Sequence, residues 1–138
     1  MKWSVENSMD EIKRQGKDVL NDNPAEKLNY HGVLSDTKNP LLEANYGYPG
    51  CVPAWKPSDL DNPALTIGSQ FVPNLAANLS IASSDAGCDK FKRPRLALPA
   101  HTAPIDIKFN KAGTAAYITF HGSWYASHPL ALGYHQLC

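Results

Sequence analysis

A chain of 138 residues with 43% hydrophobic content has the size of one globular domain, enough to bury roughly 70% of the surface its unfolded form exposes. Thirteen basic side chains balance thirteen acidic ones, so there is no cationic field for nucleic acid or an anionic membrane. No apolar run approaches the roughly 20 residues that span a bilayer, and the opening MKWSVENSMDEIKRQ lacks the apolar segment of a secretory signal.

Residues 1–20 begin like a strand at Trp3 and Val5, then enter the polar turn Glu6-Asn7-Ser8-Met9-Asp10. Met9, Ile12, Val19 and Leu20 also admit a helix, a reading that Gly16 weakens. Residues 21–64 hold six of the eleven prolines together with many Asn and Asp residues, which marks long ordered loops. Within them, Pro24-Ala25-Glu26-Lys27-Leu28 reads as one helical turn with Asn23 as its cap and Pro24 in the first position. Residues 65–72 and 95–98 read as short strands separated by a loop rich in Asn, Ala and Ser.

Residues 101–124, HTAPIDIKFNKAGTAAYITFHGSW, carry the clearest pattern. Ile105, Ile107 and Phe109 alternate with Asp106 and Lys108, the period-2 signature of a half-buried strand. Asn110-Lys111-Ala112-Gly113 supplies a turn, with Gly113 free to take positive φ. The return strand sets Ala115, Tyr117 and Thr119 on one face and Ala116, Ile118 and Phe120 on the other. His101 and His121 therefore bracket the open end of one hairpin, where in-register pairing brings them near each other and offers a place for a site. With no strong helix anywhere, the class is mainly β, and short strands joined by elaborate loops suggest a propeller or a sandwich.

Cys51, Cys88 and Cys138 fit no metal-ligand spacing. Cys51 and Cys88 lie in loop-like sequence and admit either a disulfide or two unpaired thiols, while Cys138 is expected to be free. Asn78-Leu79-Ser80 is a glycosylation sequon.

Several segments follow one another in an order that resembles a known family: Val5-Glu6-Asn7-Ser8, Asp10-Glu11-Ile12, the run from Asn23 to Gly32, Asn45-Tyr46-Gly47-Tyr48-Pro49-Gly50-Cys51, His101-Thr102-Ala103-Pro104 and His121-Gly122-Ser123-Trp124. Over residues 3–129 the chain resembles the soluble glucose/sorbosone dehydrogenases, and among them the fungal pyrroloquinoline quinone (PQQ)-dependent pyranose dehydrogenase branch. The resemblance implies a six-bladed β-propeller that holds PQQ and calcium over its channel. It also implies oxidation of a sugar's hemiacetal carbon, electrons passed to an external acceptor, and secretion with a disulfide between Cys51 and Cys88.

Carried over residue by residue, the resemblance makes Ser8 and Met9 backbone-carbonyl ligands of calcium, a donor type that this ion accepts. It puts Asn7 beside the cofactor, His101 at a strand entry facing it, and His121 in the segment that contacts its carboxylates; Trp124 stacks on the quinone or floors the pocket. The competing reading is an ordinary loop for the turn, and for each histidine a buried ring satisfied by a backbone carbonyl. His31, Trp3 and Trp55 read as structural.

The departures are as informative. No segment of the chain matches the family's histidine base, and Trp124-Tyr125-Ala126 replaces the family's Asn-Arg after the tryptophan. At about 40–45 residues per blade, residues 1–138 amount to around two blades plus long loops. The expectation is a C-terminal-half fragment of a sugar dehydrogenase that is inactive alone. The alternative is a small secreted β-rich module that binds glycans or another partner through Tyr46, Tyr48, Trp55 and Trp124.

Overall fold

A computed structural model describes residues 1–73 and 84–123 and the backbone of 135–137. Strands, short turns and two single-turn 3-10 segments make up these residues, so the protein is mainly β as the sequence predicts. The strands in chain order are β1 Trp3–Glu6, β2 Lys13–Arg14, β3 Lys17–Asp18, β4 Glu26–Tyr30, β5 Val52–Pro53, β6 Gln70–Phe71, β7 Leu96–Leu98, β8 Pro104–Phe109, β9 Ala116–Phe120 and β10 His135–Leu137. They pair antiparallel into two three-stranded sheets, β1-β4-β7 and β10-β9-β8, and two small ladders, β2-β3 and β5-β6.

The residues from Met9 to Leu20 resolve as a hairpin, not a helix. Gln15 and Gly16 both have positive φ, 50° and 81°, the pair of left-handed positions that a two-residue reversal between antiparallel strands requires. Ile12 and Val19 on its flanks join Val52, Ala54, Leu60 and Phe71 in one core cluster, against which Met9 and Leu65 pack.

The helical turn expected at Pro24–Leu28 is corrected to strand β4. One turn has little stability of its own, whereas this segment finds two strand neighbours, with Lys27 opposite Glu6 on one side and Ala97 on the other. Asn23 caps no helical turn; its Oδ1 accepts from the N–H groups of Trp55 (2.9 Å) and Lys56 (3.1 Å), tying β4 to the loop after β5. The strand expected over 65–72 shortens to Gln70–Phe71, because Ser69 N–H donates back to Thr66 O at 2.9 Å and closes a turn.

The hairpin of 104–120 forms as expected, with Gly113 at φ 69° and Asn110 Oδ1 accepting from Thr114 N–H at 2.8 Å. A bulge between Pro104 and Asp106 breaks the alternation and turns Ile105 out to solvent, 64% exposed. Ile118 and Ile107 pack with Phe120 against Leu28, Leu96, Leu98, Trp3 and Val5, so the second core cluster lies between the two larger sheets. Trp3 stacks near Tyr30 (4.5 Å) and Phe109 (5.7 Å), the structural role expected of it.

Cys51 and Cys88 form a disulfide, both fully buried, with Val72 and Phe91 packed around it. Its neighbourhood is braced by Arg14, whose guanidinium meets Asp85 through Nη1–Oδ1 at 2.9 Å and Nη2–Oδ2 at 2.5 Å. Asn78, Trp124 and Cys138 lie outside the described residues.

Candidate functional site

The strand period dictates where the charges of β4 go. Glu26, Leu28 and Tyr30 alternate with Lys27 and Asn29, so the two sets leave the sheet on opposite faces. Glu26 stands in register with Leu98, and Leu28 with Leu96, which puts the Glu26 carboxylate on the core-facing side at the end of the apolar row. Only 4% of the residue is exposed.

Two backbone segments meet at this carboxylate. Ser8 N–H, in the turn after β1, donates to Oε2 at 2.6 Å; Ala103 N–H, in the loop before β8, donates to Oε1 at 3.4 Å. Burial raises the Glu26 pKa above the ordinary carboxylate range, and Asp10 adds to it, while the two N–H donors and His101 pull the other way. His101 ties the same segments a second time: Nε2 is hydrogen-bonded to Leu20 O, and Nδ1 lies 3.4 Å from Asp10 Oδ1. Glu11, His101 and Ala103 have φ of 57°, 57° and 48°, the compact backbone of two tight turns set against each other.

The predicted site residues divide. Ser8, Met9 and His101 belong to this junction, with Asn7 exposed at its rim. Met9 commits its side chain to the core around Ile12 and Val52. Ser8 Oγ is buried with no hydrogen-bond partner. His121 is exposed, while its N–H donates to Ala103 O at 2.9 Å and the next N–H, of Gly122, to Thr102 O at 3.0 Å. The hairpin ladder thus continues to the loop that holds His101, although the two imidazoles differ: one buried, one exposed. His101 meets a backbone carbonyl, the structural arrangement that the sequence left open.

Sequence reasoning missed Glu26, Glu6 and Lys27. On the opposite face of the same sheet, the fully buried Lys27 Nζ lies 2.5 Å from Glu6 Oε1, Asn29 Nδ2 donates to Glu6 Oε2 at 3.0 Å, and the Tyr48 ring sits 5.4 Å from the Lys27 ammonium. A neighbouring pair joins Ser4 Oγ and His31 Nε2 at 2.8 Å. A period-2 reading of EKLNY was the available signal, hidden by the helical assignment.

Tyr46 is buried and its hydroxyl donates to Tyr30 O at 2.6 Å, whereas Tyr48 is half exposed over Lys27. The two tyrosines invoked for a glycan-binding module are therefore divided between core and surface. Among the described residues no helix is long and apolar enough to cross a membrane, and no three His, Cys, Asp or Glu side chains are grouped to hold a metal ion.

Comparison with known proteins places the chain in a family. The profile of the TrAA12-like family matches residues 1–136, so the chain belongs to that family. It is 50% identical over 123 residues to a pyrroloquinoline quinone-dependent sugar dehydrogenase of Hypocrea jecorina, covering 88% of this chain and 27% of that protein. A pyrroloquinoline quinone-dependent pyranose dehydrogenase of Coprinopsis cinerea is 38% identical over 126 residues, 88% of this chain and 16% of its own. Among solved structures, a calcium structure of a Trichoderma reesei enzyme of carbohydrate-active family AA12 superposes with a TM-score of 0.85 at 44% identity, over 98% of this chain and 33% of that one. The holo form of the PQQ domain of the Coprinopsis cinerea pyranose dehydrogenase gives 0.74 at 34% identity, over 91% and 30%. The chain thus spans about a quarter of the length of the first of these curated relatives and less of the second.

Proposed function

We propose that this chain is a sector of about two blades from a six-bladed propeller, forming part of the cofactor wall of a PQQ-dependent sugar dehydrogenase. The observation that carries the reading is the junction itself, where the Ser8–Met9 turn and the 101–103 loop, some 90 residues apart, share one buried carboxylate. The donor chemistry fits a calcium ion, which takes neutral oxygen ligands: the turn carries the Ser8 and Met9 carbonyls and a buried Ser8 Oγ without a hydrogen-bond partner. In this reading Ser8 and Met9 would hold calcium through carbonyls and Asn7, His101 and His121 would line the PQQ site, while Trp124, outside the described residues, is assigned to it by the family pattern alone. His121 would donate to the cofactor's carboxylates in charge-assisted hydrogen bonds, while His101, whose ring meets Leu20 O and Asp10, would set the wall's shape. PQQ in such a site supplies acceptance of a hydride equivalent from the hemiacetal carbon.

The substrate is a sugar, electrons leave to an external acceptor, and the protein works outside the cell, in keeping with the Cys51–Cys88 disulfide. With no residue assigned as base, the chain by itself holds cofactor without oxidising sugar. Titration with PQQ followed by absorbance, with and without calcium, tests this. We expect weak, calcium-dependent binding that His121→Ala reduces, and no sugar turnover. Binding indifferent to calcium and to His121 overturns the wall assignment, and turnover by the purified chain overturns the claim of inactivity.

A further inference from the structure

We infer that Glu26 is the positioning residue of the proposed calcium turn, the group that sets the Ser8–Met9 backbone in its place relative to the 101–103 loop. The inference rests on the calcium reading above and deepens it.

The position is unusual for a carboxylate. On the core-facing side of β4 its neighbours in the row are Leu28 and, across the ladder, Leu98, and an apolar side chain there would be the simplest choice. Burying a charge is costly unless hydrogen bonds replace its water. Glu26 has those bonds, and both come from backbone N–H groups of the two segments that form the candidate site. Backbone amides on a carboxylate are charge-assisted and short-ranged, so they transmit position: moving either segment by an ångström breaks one of them. The carboxylate itself is anchored on a strand paired on both sides, a rigid element of the kind that fixes a ligand shell. His101 supplies a parallel tie through Leu20 O and Asp10, which restrains the same two segments but leaves Ser8 N–H to Glu26 alone.

Glu26→Gln separates positioning from bulk stability. The amide keeps the shape of the side chain and one acceptor oxygen, yet its NH2 group cannot accept from the second backbone amide. In the metal-free full chain, we expect hydrogen exchange to quicken by about ten-fold at one of the two amides, Ser8 or Ala103, the scale of one lost hydrogen bond to a charged group, with amides inside β4 and β7 unchanged. Terbium(III) luminescence, with the ion standing in for calcium, should show binding weakened by about ten-fold. Glu26→Asp, which keeps the charge on a shorter arm, should fall between, and it serves if Glu26→Gln fails to fold.

Unchanged exchange at both amides, or unchanged terbium affinity, overturns the inference while leaving the calcium reading standing as long as the wild-type chain binds the ion. Wild-type protein that binds neither terbium nor calcium overturns both, and the exchange data then describe a structural clamp only.

Discussion

Asp85→Asn is the sharpest test of how the loops around the disulfide are held. The Asp85 side chain is only 11% exposed, as is Arg14. Its oxygens accept four hydrogen bonds: two from the Arg14 fork, one from Val72 N–H at 3.0 Å and one from Asn62 Nδ2 at 2.7 Å. The substitution preserves size but turns an amide NH2 against the guanidinium and strands its charge. Breaking one side of a buried pair costs about 3–5 kcal/mol. Arg14 keeps Leu60 O at 2.8 Å and Val72 O at 3.0 Å and the nearby Phe71 ring, which sets the expected loss at the lower end, about 3 kcal/mol. For a chain of 138 residues that lowers the melting temperature by roughly 10 °C.

The pH dependence follows from the same geometry. Burial alone raises the Asp85 pKa, but the hydrogen bonds from Arg14, Asn62 and Val72 and the Arg14 charge outweigh it and hold the carboxyl below its ordinary range. A depressed carboxyl contributes stability that is complete above the unfolded-state pKa and disappears as pH falls through the folded one. Wild type and variant should therefore differ fully at pH 7, and the difference should begin to shrink near about pH 4 and close only as pH falls through the depressed folded-state value. Urea unfolding across that range measures both quantities. A difference under about 1 kcal/mol at pH 7, or one that persists unchanged into acid, refutes the reasoning.

Two further outcomes follow from packing. Replacing Cys51 and Cys88 together by Ser opens a link that spans 37 residues, and chain entropy predicts a loss of about 4 kcal/mol; a loss below about 1 kcal/mol in denaturant unfolding contradicts that assignment of the bridge. Gly47→Ala places a Cβ 2.1 Å from Gln70 Oε1 and 3.0 Å from Cys51 at a residue with φ +92°. Because Gln70 is buried and its Nε2 donates to Lys92 O at 2.6 Å, it cannot simply swing away, and the variant should lose about 2–3 kcal/mol. A variant as stable as wild type would show that the Asn45–Cys51 turn relaxes freely.

The hairpin ending at Phe120 was legible because its information is local: alternating side chains and a glycine at the reversal. What local pattern concealed was the bulge at Ile105, since a register shift depends on the partner strand. Pro24–Leu28 misled for a related reason. A cap residue and a proline are strong short-range signals, but β4 is stabilised by Glu6 and Ala97, about 20 and 70 residues away, and nonlocal pairing outweighs a single turn's preference. Cysteine types and spacing left the Cys51–Cys88 pair open, and only the family resemblance implied it. Glu26 was invisible altogether: a charged residue in a polar stretch reads as surface, and its burial comes from a loop 77 positions later in the chain.

The adjacency of Glu26 and Lys27 carries the electrostatic consequence. In a helix these neighbours would both lie near one surface, whereas the strand sends them to opposite faces. Lys27 is then neutralised by Glu6 on the opposite face, and among the described residues no Lys or Arg forms an ion pair with Glu26. The charge at the inner end of β4 is met by backbone dipoles and approached by Asp10. With Lys27 committed elsewhere, the ionised form of Glu26 is balanced by backbone N–H groups and His101, and the proposed divalent cation would be preferred there to an ammonium. A single-residue register slip of β4 would exchange the two faces, bring Lys27 to the turn and abolish that preference. The one-to-one pairing of Glu6 with Lys27 is therefore as much a condition of the proposed cation site as the carboxylate itself.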